Sequence, residues 1–439
     1  MREPDPVAAA LTAAFLDGPW TVPALTDGAR RAVGRPRARW AGQLAARVVE
    51  RFPRPPADAP RELDAFVRDC APYAAARAAA VRAGSPLRVA HLATATTRMG
   101  RNRFGVPELD TVADLAGFLG IGVGQLEWFA DVHRFQVRAG GSALHHYRAR
   151  WVGKRGAPRL LEVPRPRLVA LQRRVLREVL DRFEVHDAVH GFTAGRSALT
   201  GAREHVGART VVRFDLEGFF ASVPASAVHG CFRSTGYPEP VAHLLTGLVT
   251  HVTPWRDLRT MPDGGSPEER FRLRRNLSRA HLPQGAPTSP ALANLCARGL
   301  DRRLAGLARS VGATFTRYAD DLTFSSPTGL HPDRLRRAVE AVVTDEGFTL
   351  NPAKTRVRGA GSRQVVTGLV VNERPNVPRE EFDRLKAVLH NCVQHGPGTQ
   401  DRDGHPDFRA HLLARVSRVE HVNPAKGRRL RRSFERIRW

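Results

Sequence analysis

Two adjacent aspartates, Asp320 and Asp321, stand in the stretch Arg317-Tyr318-Ala319-Asp320-Asp321-Leu322-Thr323-Phe324-Ser325-Ser326. β-Prone residues flank them, Ala313-Thr314-Phe315-Thr316 before and Leu322-Thr323-Phe324 after. Two short strands joined at Ala319-Asp320 make a hairpin with both carboxylates at its tip. Neighbouring like charges repel, and a divalent cation relieves the repulsion by taking their oxygens as ligands. By itself the pair also suits an ordinary exposed turn. A third acid lies upstream. Val211-Val212-Arg213-Phe214-Asp215 reads as a buried strand that ends in a carboxylate where the apolar run gives way to a turn. A strand-end carboxylate beside a hairpin-tip pair can clamp two metal ions. Two ions stabilise both the attacking and the leaving oxygens of an in-line phosphoryl displacement.

Between these acids lies Leu282-Pro283-Gln284-Gly285-Ala286-Pro287-Thr288-Ser289-Pro290. Its prolines and glycine hold off regular structure until Ser289, an expected N-cap with Pro290 behind it, and a helix is expected to run on to Ala308. A backbone-rich loop that opens a helix suits contact with a nucleotide or base pair. Alone, it equally suits a plain loop–helix junction.

The order of the segments is more specific than any one of them. Phe214-Asp215-Leu216-Glu217-Gly218-Phe219-Phe220, Leu282-Pro283-Gln284-Gly285, Tyr318-Ala319-Asp320-Asp321 and Gly347-Phe348-Thr349-Leu350-Asn351-Pro352-Ala353-Lys354-Thr355 follow one another along the chain. This series resembles motifs A to D of a reverse transcriptase. Lys154-Arg155-Gly156-Ala157-Pro158-Arg159, Leu171-Gln172-Arg173-Arg174-Val175-Leu176 and His190-Gly191-Phe192-Thr193-Ala194-Gly195-Arg196-Ser197 resemble the preceding blocks of that family. The likeness runs from Tyr147 to Asn372. Within the family, Gln284-Gly285-Ala286-Pro287-Thr288-Ser289-Pro290 and the triplet Val366-Thr367-Gly368 are similar to bacterial retron enzymes.

The resemblance implies an α+β right-hand polymerase, with fingers, a palm built on an antiparallel sheet, and a helical thumb. It implies two Mg²⁺ ions, with Asp215, Leu216, Asp320 and Asp321 as metal contacts. Lys154 and Arg159 match positions that touch the incoming triphosphate, although solvated surface charge is the other reading. Gln284 and Gly285 match the lining of the nucleotide pocket. Phe220 matches the residue that stacks under the sugar and blocks a 2′-hydroxyl, with Phe219 pointing the other way into the core. Lys354 matches a lysine able to protonate pyrophosphate, or serves as a surface lysine. Val366, Thr367 and Gly368 match a segment that selects the cognate RNA, or form a sheet strand with a glycine bulge. The implied partners are a structured non-coding RNA, its DNA product, deoxynucleoside triphosphates and an effector protein in anti-phage defence. A 2′-hydroxyl of that RNA is the implied primer. Two other readings are a non-retron bacterial reverse transcriptase, including the group II intron type, and a catalytically silent RNA-binding scaffold. The short region after Asn372 counts against the intron type, and the intact aspartates against the scaffold.

Composition agrees. The 439 residues carry 69 Lys and Arg against 43 Asp and Glu, a net charge of +26, which calls for a polyanionic partner. The 4 cysteines, Cys70, Cys231, Cys296 and Cys392, show no zinc-ligand spacing, and a reducing cytoplasm is expected. No apolar run suits a membrane span. Four regions are expected. Residues 1–85 form a helical extension, with helices over Ala8–Leu16, Trp40–Phe52 and Leu63–Ala83. Residues 86–145 hold a small helix-turn-helix that includes Leu115, Leu126, Trp128 and Phe129, read as packing onto the polymerase in preference to reading DNA. Residues 146–371 are fingers and palm, and 372–439 a basic helical thumb. Trp255 to Arg279 reads as a basic insertion, either solvated or touching nucleic acid. Arg428 and Arg429 lie in a basic tail suited to tracking a phosphate backbone. Gln172 and Arg173 read as template contacts or packing. His145 and His146 read as surface.

Overall fold

The computed structural model describes residues 5–93, 97–138, 144–153 and 156–439. They fall into two units, residues 1–183 with 223–289, and residues 184–222 with 290–439. The boundaries cut across the 146–371 stretch because 223–289 packs with the N-terminal part of the chain.

The first unit begins with five helices, Pro6–Leu16, Val22–Val33, Arg39–Arg51, Pro60–Asp69 and Ala71–Arg82. Leu11, Phe15, Leu25, Leu44, Val48, Leu63 and Tyr73 form their common core. The helix Val22–Val33 was not expected. Pro23 obscures it in sequence, yet proline is tolerated in a first turn, and left-handed Gly34 closes the far end. The expected helix Leu63–Ala83 is broken at extended Cys70, because Pro72 can neither donate to residue 68 nor avoid its carbonyl.

Helices Val112–Leu119 and Val123–Ala130 form the expected helix-turn-helix. Its buried Leu115, Leu119, Leu126 and Phe129 face inward, and both helices pack against the helix Glu239–Val249. That favours a packing role. Strands β1 (Tyr147–Val152) and β2 (Arg159–Pro164) pair antiparallel, and the helix Pro166–Glu178 follows. Gln172 on that helix is fully buried and donates to Tyr147 Oη at 2.9 Å and to the Leu248 carbonyl at 2.8 Å, so it packs and does not face a template. His145 and His146 are buried, contrary to the surface expectation. The His146 ring stands 5.1 Å from Trp128 and 5.3 Å from Phe129, and burial lowers its pKa to about 4. The insertion forms two helices, Trp255–Arg259 and Pro267–Leu277, the second started by a Ser266–Glu269 capping box.

The second unit is built on a four-stranded antiparallel sheet, β3 (Thr210–Asp215), β4 (Thr314–Tyr318), β5 (Asp321–Ser326) and β6 (Arg356–Gly359), in the order β4-β5-β3-β6. Val212 and Phe214 of β3 point into the core, which leaves Arg213 and Asp215 on the opposite face. The helix Arg298–Ser310 packs on β4 and on the helix Pro332–Asp345. The expected single helix from Ser289 is two, Ser289–Cys296 and Arg298–Ser310, interrupted at Ala297. Ser289 does not cap it: its hydroxyl donates back to the Pro283 carbonyl at 2.7 Å. Three helices close the unit, Arg379–His395, Phe408–Val422 and Pro424–Glu435. The last is the segment whose charge suggests a basic tail. It is a helix because Leu430 and Phe434 recur on one face and join the core of Leu385, Leu389, Leu412 and Val416.

Candidate active site

The hairpin of β4 and β5 carries Asp320 at its turn and Asp321 as the first residue of β5. Tyr318 pairs with Asp321 across the hairpin. Ala319 makes the reversal with φ 55°, a strained value for an alanine. On the other side of β5, Asp215 pairs directly with Asp321. Sheet register therefore brings the strand-end acid beside the hairpin-tip pair. The Leu216 N–H donates to the Asp320 carbonyl at 2.9 Å, and Asn351 N–H to the Asp215 carbonyl at 2.8 Å. These bonds lock the end of β3 between the turn and the segment that leads to Lys354.

The turn is held from behind by Arg317. Its guanidinium is fully buried and bonds both oxygens of buried Asp301 at 2.6 and 2.7 Å. It also donates to Asn294 Oδ1 at 3.0 Å and to the Ala319 carbonyl at 3.1 Å. Asn294 in turn donates to the Gly191 carbonyl at 2.9 Å. Gly191 is needed there, since a Cβ would come within 2.7 Å of the Ala319 nitrogen.

Two cations meet the carboxylates. Lys354 Nζ forms an ion pair with Asp215 Oδ1. Arg213 pairs with Asp321, its Nε 3.2 Å from Oδ1, and reaches the Val365 carbonyl at 3.2 Å. Burial raises the Asp215 pKa, as do the charges of Asp320 and Asp321, while Lys354 opposes the shift. Burial likewise raises Asp321, with Arg213 opposing and Asp320 adding to it. The acids thus resist ionising together, and positive charge is what relieves them. Among the described residues no three acidic, His or Cys side chains converge as a ready ion cage. The donor set is nonetheless all carboxylate oxygen, without sulfur or imidazole, and such donors suit a hard divalent cation.

Phe220 lies on the short helix Phe219–Ser222, not on a strand. Phe219 is buried as expected, although helical geometry and not strand alternation separates the two rings. Phe220 is half-buried, 6.2 Å from the ring of Phe192. Phe192 also approaches Tyr318 at 6.3 Å, is half-exposed, and has φ 58°. Phe192 and Arg213 received no role from sequence. The signal for Arg213 was available, since a residue two before Asp215 on a strand shares its face. For Phe192 there was none, because its position depends on a left-handed backbone.

The other residues expected at the nucleotide belong to the other unit. Lys154 lies outside the described residues. Arg159 starts β2 and is half-buried. The Gln284-Gly285 loop sits on the same strand: the Glu162 N–H donates to the Gln284 carbonyl at 2.8 Å. Gly285 has φ +128°, and a Cβ there would meet the Glu162 carbonyl at 3.1 Å. Glu162 itself is buried, bonded by His281 Nε2 at 2.9 Å and by the Thr253 hydroxyl at 2.6 Å. Arg159, Gln284 and Gly285 are therefore parts of one anchored element.

Val366, Thr367 and Gly368 form a tight hairpin between β7 (Val365–Val366) and β8 (Leu369–Val370). Thr367 and Gly368 are the two turn residues, at φ 49° and 81°, so the glycine makes a turn and not a bulge. Val366 is fully buried, the Thr367 hydroxyl donates to the Ala198 carbonyl at 2.8 Å, and Gly368 is exposed. Arg428 and Arg429 are exposed on the helix Pro424–Glu435. No helix among the described residues is long and apolar enough to cross a membrane.

A family model described as reverse transcriptase (RNA-dependent DNA polymerase) matches residues 152–367. The retron Mx65 reverse transcriptase of Myxococcus xanthus is 40% identical over 338 residues, which is 75% of this chain and 72% of that one. The retron Mx162 reverse transcriptase of the same organism is 40% identical over 346 residues, 74% of this chain and 66% of the relative. The retron Ec86 reverse transcriptase of Escherichia coli is 34% identical over 254 residues, 57% of this chain and 71% of the relative. With three acids brought to one sheet end inside the matched region, the chain belongs to the retron reverse transcriptases, RNA-directed DNA polymerases with an α+β fold.

Proposed function

We propose that this enzyme copies part of one cognate structured RNA into single-stranded DNA, starting from a 2′-hydroxyl of that RNA, and that the product serves anti-phage defence with an effector protein. The observation that carries the catalytic part is the register pair Asp215–Asp321 with Asp320 at the adjoining turn. Asp215, Asp320 and Asp321, with the backbone of Leu216, would hold two divalent cations, taken as Mg²⁺ from their oxygen donors. When bound, the ions neutralise charge on the attacking and leaving oxygens.

The chain's own groups do the rest. Arg213 and Lys354 hold the carboxylates in place, and Lys354, at Asp215, is suited to give a proton to departing pyrophosphate. Arg159 and Lys154 would neutralise the triphosphate, with Gln284 and Gly285 lining the pocket. Phe220 would close the space a ribose 2′-hydroxyl needs. The Val366–Gly368 hairpin would recognise the cognate RNA through its exposed turn, and Arg428 and Arg429 would add sequence-blind affinity. The cytoplasm, where deoxynucleotides and the RNA are made, is the proposed compartment.

Sequencing the nucleic acid that copurifies with the protein tests this reading. A single RNA species joined covalently through a 2′ oxygen to DNA is expected. A heterogeneous RNA pool without attached DNA would remove the priming and cognate-RNA proposals.

A further inference from the structure

Arg213 bonds both an acid of the site and the hairpin that carries the Val366-Thr367-Gly368 triplet. It stands on β3 two residues before Asp215, on the same face of the strand. All three guanidinium nitrogens are used. Nε lies 3.2 Å from Asp321 Oδ1, one Nη bonds Asp321 Oδ2, and the other donates to the Val365 carbonyl at 3.2 Å. Val365 opens the hairpin whose turn is Thr367-Gly368. A planar fork fixes the angles between its donors, so a shift of the Val365 carbonyl is passed on to the Asp321 carboxylate. Lys354, the other cation at the acids, pairs with Asp215 and bonds no residue of 364–371.

The body of the hairpin is packed while its turn is open. Val366 and Leu369 are buried with Leu199, Ala202 and Val211, the last from β3 itself. The Gln364 amide donates to the Ala208 carbonyl at 2.9 Å, and the Thr367 hydroxyl to the Ala198 carbonyl at 2.8 Å. At the exposed tip, a Cβ on Gly368 would lie 3.6 Å from the Arg418 guanidinium, so a cation stands where a phosphate would approach the turn. A ligand seated on the turn therefore connects to Asp321 through one packed two-stranded element and one guanidinium. Every residue in that connection belongs to the second unit.

We propose that Arg213 is a positioning residue through which RNA bound at the Thr367-Gly368 turn sets the orientation of Asp321, so that cognate RNA raises the rate of synthesis as well as being held more tightly. This rests on the reading of the hairpin as the RNA-recognising element and of Asp321 as a cation ligand. A ligand can shift the acid only if it binds one arrangement of the hairpin better than another, and the shared guanidinium is what makes the two arrangements differ at Asp321.

The test compares the RNA that copurifies with the full-length protein and an unrelated structured RNA of equal length, each with the same annealed DNA primer. Affinity and kcat are measured separately on both. Wild type should show a kcat at least about five-fold higher on the copurifying RNA. Arg213→Lys keeps the charge beside Asp321 but cannot hold the carboxylate by two prongs and also reach Val365. It should lower kcat on both RNAs and bring their ratio to within about two-fold of one, while the ratio of affinities stays within about two-fold of wild type. Lys354→Ala should lower kcat on both RNAs by the same factor and keep the ratio. Hydrogen exchange without metal, nucleotide or RNA is the second readout. In Arg213→Lys it should speed up both at Leu216, whose N–H is bonded to the Asp320 carbonyl, and at Val371, whose N–H is bonded to the Gln364 carbonyl. In Lys354→Ala it should be unchanged at Val371. Arg213→Gln serves in the same measurements if the lysine variant does not fold. An Arg213→Lys that lowers kcat on both RNAs equally, or loosens Leu216 but not Val371, overturns the proposal and leaves Arg213 a local counter-ion. A wild type that prefers the copurifying RNA in affinity but not in kcat also overturns it and keeps the recognition reading. A wild type that binds both RNAs equally, yet copies the copurifying one faster in a way that Arg213→Lys abolishes, fails the recognition reading and upholds the link.

Discussion

Arg317 and Asp301 form a fully buried, two-pronged ion pair whose remaining guanidinium donors hold the Asn294 amide and the Ala319 carbonyl. A strained turn that places Asp320 needs a rigid support, and this pair supplies one from the core. Pairing in a dry site is favourable only when the polar groups find partners, and all three guanidinium nitrogens of Arg317 do.

Asp301→Ala would leave the Arg317 charge buried and unpaired. We expect a loss of about 3–5 kcal/mol in urea unfolding. Arg317→Lys should not rescue synthesis, because an ammonium cannot make the two-pronged contact and also reach Ala319. A lysine variant with normal stability and normal extension would show that the tether is dispensable.

Phe220→Ala should admit a 2′-hydroxyl. The ratio of deoxynucleotide to ribonucleotide incorporation should fall, while RNA binding stays as it was. Phe192 packs beside Phe220, so Phe192→Ala should lower the same ratio by a smaller factor. If only the Phe192 variant changes sugar choice, Phe192 and not Phe220 is the gate.

The placement of the three acids was legible because it depends on local rules. Alternation places Asp215 and Arg213 on one face of β3, and a two-strand reading of Thr314 to Phe324 puts Asp320 at a turn. What stayed hidden depends on partners distant in sequence. Arg317 sits among β-prone residues and gives no sign that Asp301 and Asn294 will meet it. His145 and His146 look polar, yet Trp128 and Phe129 bury His146. The last helix was masked by its arginines, because Leu430 and Phe434 alone carry its apolar period. The Thr367 hydroxyl, expected to face RNA, is engaged by Ala198.

The Glu162–His281 pair predicts a pH dependence. Burial alone would raise the Glu162 pKa, but the charge and hydrogen bond of His281, with His251 and Thr253, lower it. Burial alone would lower His281, but Glu162 and the Arg279 carbonyl raise it. His251, 3.7 Å from Glu162, is pushed down to about 4 by burial and stays neutral above that. The raised histidine contributes stability below its unfolded pKa of about 6.5 and loses it as pH rises through the folded value. The lowered glutamate contributes above about 4.3 and loses it as pH falls through its folded value. Wild type should therefore exceed Glu162→Gln in stability most between about pH 4.5 and 6.5, with the difference shrinking toward alkaline pH. A difference independent of pH would mean that His281 is neutral throughout. Because this pair anchors the Gln284 loop, Glu162→Gln should also raise the KM for deoxynucleotides more than it lowers kcat.

RNA recognition should separate into two parts. Charge reversal at Arg428 and Arg429 should weaken every RNA and flatten the salt slope. Substituting Thr367 and Gly368 together should mainly cost preference for the cognate RNA over an unrelated hairpin. Thr367 is bonded to Ala198 and Gly368 has φ 81°, so thermal unfolding must be followed in parallel. Equal weakening on both RNAs, or loss of the fold, would end the specificity role.

DNA synthesis on RNA should depend on the acids at the end of β3 and at the hairpin tip. The most direct measurement is extension of a primed RNA template by Asp320→Asn, with binding of the same RNA followed separately. The substitution keeps the shape of the side chain and removes the charge that holds cations. We predict that synthesis collapses while RNA affinity is retained. Extension at the wild-type rate would contradict the assignment of Asp320, and with it the site built around Asp215 and Asp321.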